Sequence, residues 1–233
     1  MARITRKELK SDKFALEVGQ TVSFFEEHRQ EILRYGAVAL GVAALFAGWL
    51  VYQRHQRAGR EEALAKAILV QEAPIGTAPN SLGLNFTTQA AKDQETTKAF
   101  AGLAAKYPGT TEGVVAQYYL GAIKADQSNM AEAEKHFQEV AQHGNANFSS
   151  LAKLSLAQIY YSDGRAAQGE AVLRDLIDHP TALVSKDQAT ITLARYLIIQ
   201  RPADARKLLD PLKTAGGPVG QLALSLSGQL PAQ

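Results

Sequence analysis

"ILRYGAVALGVAALFAGWLVYQRHQR", residues 32–57, carries no charge between Arg34 and Arg54 in a chain that is otherwise 21% charged. A protein core, a cleaved signal peptide or a lipid bilayer could each accept such a run. The 19 uncharged residues 35–53 rise about 1.5 Å each as a helix and cover roughly 28 Å, close to the hydrocarbon thickness of a bilayer. The run lacks the periodic polar face of a helix packed on one side of a soluble domain, and Tyr35, Trp49 and Tyr52 stand at its ends, where amphipathic rings meet headgroups. A signal peptide fits poorly, because 34 residues with many charges precede the run and no small-x-small cleavage pattern follows Leu50-Val51-Tyr52. The expectation is a retained transmembrane helix over residues 35–53.

The rest of the chain has room for a soluble domain. Its 233 residues suit one or two domains, and a mean hydropathy of -0.16 is too polar for a polytopic protein. Residues 1–60 carry 10 Lys and Arg against 6 Asp and Glu, while residues 61–233 carry 15 against 17. A near-neutral domain lacks the clustered basic face that phosphate binding demands, so nucleic acid is not an expected partner. The absence of Cys removes disulfides, Cys-zinc sites and thiol catalysis, and it permits an oxidising compartment without requiring one.

Flanking charge is divided on orientation. Arg3, Arg6, Lys7, Lys10, Lys13, Arg29 and Arg34 precede the span, whereas within 20 residues on either side two basic residues lie before it and four, Arg54, Arg57, Arg60 and Lys66, after it. A domain of some 180 residues is exported whatever its flanks carry, while a short tail responds to them. The expected topology therefore has the N-terminus in the cytoplasm. In the tail, Phe14, Val18, Val22, Phe25 and Ile32 recur at helical spacing. They read as a juxtamembrane helix entered through the capping-box pattern Ser23-Phe24-Phe25-Glu26. Glu26, Glu27 and Glu31 argue against that helix lying on anionic lipid. Ala37 and Gly41, then Ala44 and Gly48, are small residues four apart, a spacing also common in spans that pack on nothing.

After the span the chain repeats itself. Leu120-Gly121, Leu156-Ala157 and Leu193-Ala194 are separated by 36 and 37 residues, and Ala133, Gly169 and Ala205 by 36 and 36. Phe100, Phe137, Leu173 and Leu209 recur at 37, 36 and 36, and Leu103, Val140, Leu176 and Leu212 keep the same intervals. Antiparallel helices can approach closely only where a Gly or Ala on one faces a bulky side chain on the other. Each pair leaves an apolar face that the next must cover, so such units come in series and end in a capping helix. Turn signals fall inside the units at Ser128-Asn129, Asp163-Gly164 and Arg201-Pro202, and between them at Tyr107-Pro108-Gly109 and His179-Pro180. Gly216-Gly217-Pro218 breaks the chain before a last short helix, expected over 220–230. Pro74, Gly76, Pro79, Asn80 and Gly83 make residues 71–95 read as a loop, after a helix over 61–70 that packs on the repeats. The fold class is therefore all-α, with a cytoplasmic tail (1–34), the span (35–53), a connecting helix and loop (54–95) and a solenoid of helix pairs (96–233).

The marker columns resemble tetratricopeptide repeats, which place a Leu-Gly or Leu-Ala pair in the first helix and Ala, an aromatic or Leu, and Pro in the second. Here the period is 36 to 37 rather than 34, the aromatic near the start of the first helix is missing, and the Pro is kept only at Pro108 and Pro180. Taken with the span and its "FFEEHRQEILRYG" approach (24–36), the order of elements resembles the bacterial ancillary SecYEG translocon subunit family. These are inner-membrane proteins with a periplasmic tetratricopeptide-like domain. The resemblance implies a place near the translocon exit beside a membrane-anchored periplasmic chaperone, holding or handing on exported polypeptides. The basic stretch "RITRKELKSDKFALEVGQ" (3–20) departs from the short acidic tail of better known members, and no role is carried over to it.

A superhelix of helix pairs presents its first helices along a groove suited to a peptide. The expected groove residues are Tyr118, Ala122, Leu154, Gln158, Tyr161, Ile191 and Arg195. No Gly-rich phosphate loop, HExxH or GxSxG motif occurs, and His136 and His143, seven apart, lack a third ligand and read as exposed second-helix residues. No enzyme activity, cofactor or metal is expected. A purely structural scaffold for an envelope assembly remains the alternative, and the sequence does not fix the oligomeric state. In spheroplasts, protease added outside the inner membrane is expected to degrade the repeats. Protection of the repeats would reverse the topology.

Overall fold

The computed structural model describes residues 29–76 and 83–231. The expected tail helix and its capping box, together with Pro79 and Asn80, lie outside the described residues. Among those residues the regular elements are all helices, apart from one isolated bridge between Ile75 and Phe86. In chain order the helices are α1 (Arg29–Gln71), α2 (Gln89–Lys106), α3 (Thr111–Asp126), α4 (Met130–His143), α5 (Ala146–Ser162), α6 (Ala166–Asp178), α7 (Lys186–Gln200), α8 (Pro202–Leu209) and, after a 3₁₀ turn, α9 (Gly217–Gly228). The described residues divide into two compact units, one up to Gly59 and one from Arg60 onward.

In the first unit, α1 is long and apolar enough to cross a membrane, and its most hydropathic window is 0% buried. Leu40 and Leu45 are about three-quarters exposed, at 74% and 77%, and Trp49 at 53%. An apolar helix in a protein core would bury these side chains, so a core placement does not describe them.

The second unit is a stack of helix pairs, and its start and stop signals are local. Thr88, Thr110, Asn129, Asn145 and Ser185 each accept a hydrogen bond from the backbone N–H three residues on, capping α2, α3, α4, α5 and α7. Ser128 and Gly164 adopt positive φ at the turns inside the second and third pairs, and Gly109 does so between pairs. Every recurring Leu, Phe and small residue of the sequence columns is buried except Leu212, which is partly buried.

Three clusters show how the pairs cover one another. Ala67 at the end of α1 packs with Phe100, Leu103 and Ala104 of α2 and with Ala116 and Leu120 of α3. Phe137 and Val140 of α4 pack with Ala152, Leu156 and Ile159 of α5. Leu173 and Leu176 of α6 join Leu193 and Leu197 of α7, Leu209 of α8 and Ala223 and Leu226 of α9. Each fully buried side chain of this size contributes about 1.5–3 kcal/mol, and the contribution exists only because the next pair is present.

The structure adjusts two expected boundaries. The 71–95 loop ends at Thr88, where a side-chain cap starts α2, and the last helix begins at Gly217 because Pro218 suits a first-turn position. Residues 60–95, read from sequence as a connector, belong to the same compact unit as the repeats. The end of α1 packs through Ala67 against α2 and α3, and Arg60 Nε donates to the buried Glu112 of α3 at 3.1 Å.

Helix approach is set by two glycines on opposite sides of their pairs. A Cβ on Gly121 of α3 would come within 2.8 Å of the Phe137 ring of α4, and one on Gly169 of α6 within 2.7 Å of the Tyr161 ring of α5. Gly102 on the exposed face of α2 meets nothing within 4 Å. Gly121→Leu is therefore expected to cost about 2 kcal/mol or more by overpacking, while Gly102→Ala should add about 1 kcal/mol through helix propensity. Urea unfolding of the full chain in detergent, followed at 222 nm, measures both.

Candidate polypeptide-binding groove

A cavity of about 490 Å³ opens between α5, α7 and α9. Leu154 and Gln158 line it from α5, and Pro218, Val219 and Leu222 from α9. The longest wall is α7, from its cap Ser185 through Gln188, Ile191 and Thr192 to Arg195 and Tyr196. Helical periodicity puts these α7 residues on one side, since 188, 191 or 192, and 195 are three or four apart. Side chains pair an apolar floor with amides and hydroxyls, the mixture that suits polypeptide. Among the described residues Arg195 is the only charged one in the lining, and it is exposed.

Four of the seven residues expected from sequence, Leu154, Gln158, Ile191 and Arg195, meet in this cavity. The other three sit in helix packing. Tyr118 lies against Phe137 and Phe148, with ring centroids 5.5 and 6.2 Å apart. Ala122 packs on the same cluster. Tyr161 stacks on Tyr196, with centroids 3.8 Å apart and planes at 7°, while its other neighbour is the bare backbone of Gly169. Tyr161 thus supports the groove wall through Tyr196. Its hydroxyl is buried without a hydrogen-bond partner, and burial, with Glu170 nearby, holds its pKa above the ordinary tyrosine value.

Sequence reasoning passed over Gln188, Thr192, Tyr196 and the α9 residues. The α7 positions shared a helix face with Ile191 and Arg195, and that signal was available. The contribution of α9 was not, because nothing in a short apolar helix states which pair it caps.

An ion-pair latch between consecutive pairs was also missed. Arg165, at the start of α6, donates to both carboxylate oxygens of Glu134 on α4, at 2.8 and 2.6 Å, and lies over the Tyr160 ring. One period later Arg201, at the start of α8, pairs with Glu170 on α6. Glu134 and Glu170, like Arg165 and Arg201, are 36 residues apart. Bidentate geometry of this kind fixes register as well as adding attraction.

The two histidines separate. His143 is exposed, whereas His136 is half-buried, contrary to expectation, with Nδ1 2.6 Å from Gln117 Oε1. Burial holds the His136 pKa below the ordinary histidine value, against the opposing pull of Glu132. Among the described residues no group of three or more His, Cys, Asp or Glu could hold a metal.

A family model for the tetratricopeptide repeat-like domain matches residues 23–210. No curated protein and no solved structure matches the chain.

The unpaired Tyr161 hydroxyl gives a direct check on packing at the groove wall. Tyr161→Phe is expected to leave stability unchanged or raise it by up to about 1 kcal/mol, since it removes a desolvated hydroxyl with no partner. Tyr161→Ala should cost about 2–3 kcal/mol through the lost stack and the space left behind. Equilibrium denaturation of the two variants measures the difference.

Proposed function

The chain belongs to the tetratricopeptide repeat-like family, and on that premise we propose that it is a membrane-anchored binding module that assists protein export at the Sec translocon. Repeat domains of this family are interaction modules for other proteins and are typically non-catalytic. In the proposed reading α1 spans the inner membrane with its N-terminus in the cytoplasm, and the repeats stand in the periplasm. There they would receive exported polypeptides or pass them to a membrane-anchored chaperone.

The groove between α5, α7 and α9 is the observation that carries the binding role. It joins aliphatic side chains to amides and hydroxyls. The exposed apolar α1, long enough to span, supports the anchored part of the reading. The tie to the translocon draws on the resemblance in element order described above.

Photo-crosslinking in intact cells tests the proposal. A photoreactive residue at Gln158 or Thr192, inside the groove, is expected to yield adducts with translocon subunits and with chains in transit, and one at the exposed Lys135 of α4 is not. A single fixed envelope complex captured from every position would instead identify a structural scaffold.

A further inference from the structure

We infer that the occupant of the groove is an extended peptide segment bearing aliphatic side chains and one acidic side chain, the carboxylate lying against Arg195. The inference rests on the polypeptide-binding reading above and adds the chemistry of the ligand.

Length comes from α7. The ten steps along the helix from Ser185 to Arg195 rise about 15 Å, which an extended chain covers in about four or five residues at roughly 3.3 Å each. The cavity of about 490 Å³ accords with a segment of that size rather than a folded surface. Leu154, Ile191, Val219 and Leu222 offer aliphatic contacts, while Gln158 and Thr192 offer amide and hydroxyl partners for a peptide backbone.

Charge supplies the selectivity. In the neighbouring helices Arg165, Arg174 and Arg201 each hold a carboxylate. No described Asp or Glu lies within ion-pair distance of Arg195, which stands exposed at the end of an otherwise uncharged lining. A guanidinium so placed attracts a carboxylate and repels Lys or Arg. Because the proposed reading has the groove meeting chains during export, before their C-termini arrive, the carboxylate is that of a Glu or Asp side chain.

The test uses the full chain in phosphatidylcholine nanodiscs and fluorescence anisotropy. The probes are dye-labelled nonapeptides with blocked ends, carrying Leu-Ile-Leu followed by Glu, Gln or Lys in a Gly-Ser background. The Glu peptide should bind about fivefold more tightly than the Gln peptide, the gain allowed to a solvent-exposed ion pair, and the Lys peptide should bind more weakly than either. Arg195→Glu, on an exposed face, should keep the helical circular dichroism and invert the order of Glu and Lys. Equal binding of all three peptides, or an order that Arg195→Glu leaves unchanged, overturns the inference while the polypeptide-binding reading stands. Binding only when the peptide C-terminus is free overturns it in favour of a chain terminus. Binding of no peptide at all removes the polypeptide-binding reading and the inference with it.

Discussion

Close approach of a small residue to a large one is the constraint on which the repeat unit depends. Gly121 lies under the Phe137 ring and Gly169 under the Tyr161 ring, at separations no Cβ would tolerate without movement. These contacts bring two helices together tightly enough to leave a single apolar face outward. That face is covered only by the next pair, so the core is a series of interfaces rather than one centre. The end of α1 begins the series and α9 closes it.

The groove follows from the same packing. It needs α5 from one pair, α7 from the next and α9 from the cap, three elements that only stacking places side by side. Its wall residue Tyr196 is held by Tyr161, which fits because Gly169 has no side chain. The latch from Glu134 to Arg165, and from Glu170 to Arg201 one period on, fixes the second helices of consecutive pairs. Register between pairs is therefore set on one side by apolar contact and on the other by charge. On the first helices, Arg195 has no acidic partner among the described residues.

Much of this was legible from residue order, because burial imposes a period. Leu120, Leu156 and Leu193 had to recur together with their small neighbours, and all are buried. The 36-residue spacing of Glu134 and Glu170 was present too. Charged residues recur for many reasons, and only the packed helices tell a latch from a solvated face. Tyr118 and Tyr161 were harder, since an aromatic on a first helix can line a groove or fill a gap between pairs with the same spacing. The structure puts them in packing, beside Phe137 and Gly169.

The central claim is that stacked pairs on an apolar anchor hold extended polypeptide along α5, α7 and α9. Methyl NMR of the full chain in nanodiscs, with Ile and Leu labelled, tests it most directly when a reduced and alkylated, permanently unfolded polypeptide is titrated in. The account predicts saturable shifts at Leu154, Ile191 and Leu222, with the buried Leu173 and Leu209 unmoved. Shifts confined to the exposed Ile199 and Leu224, or none at the groove methyls, would contradict it.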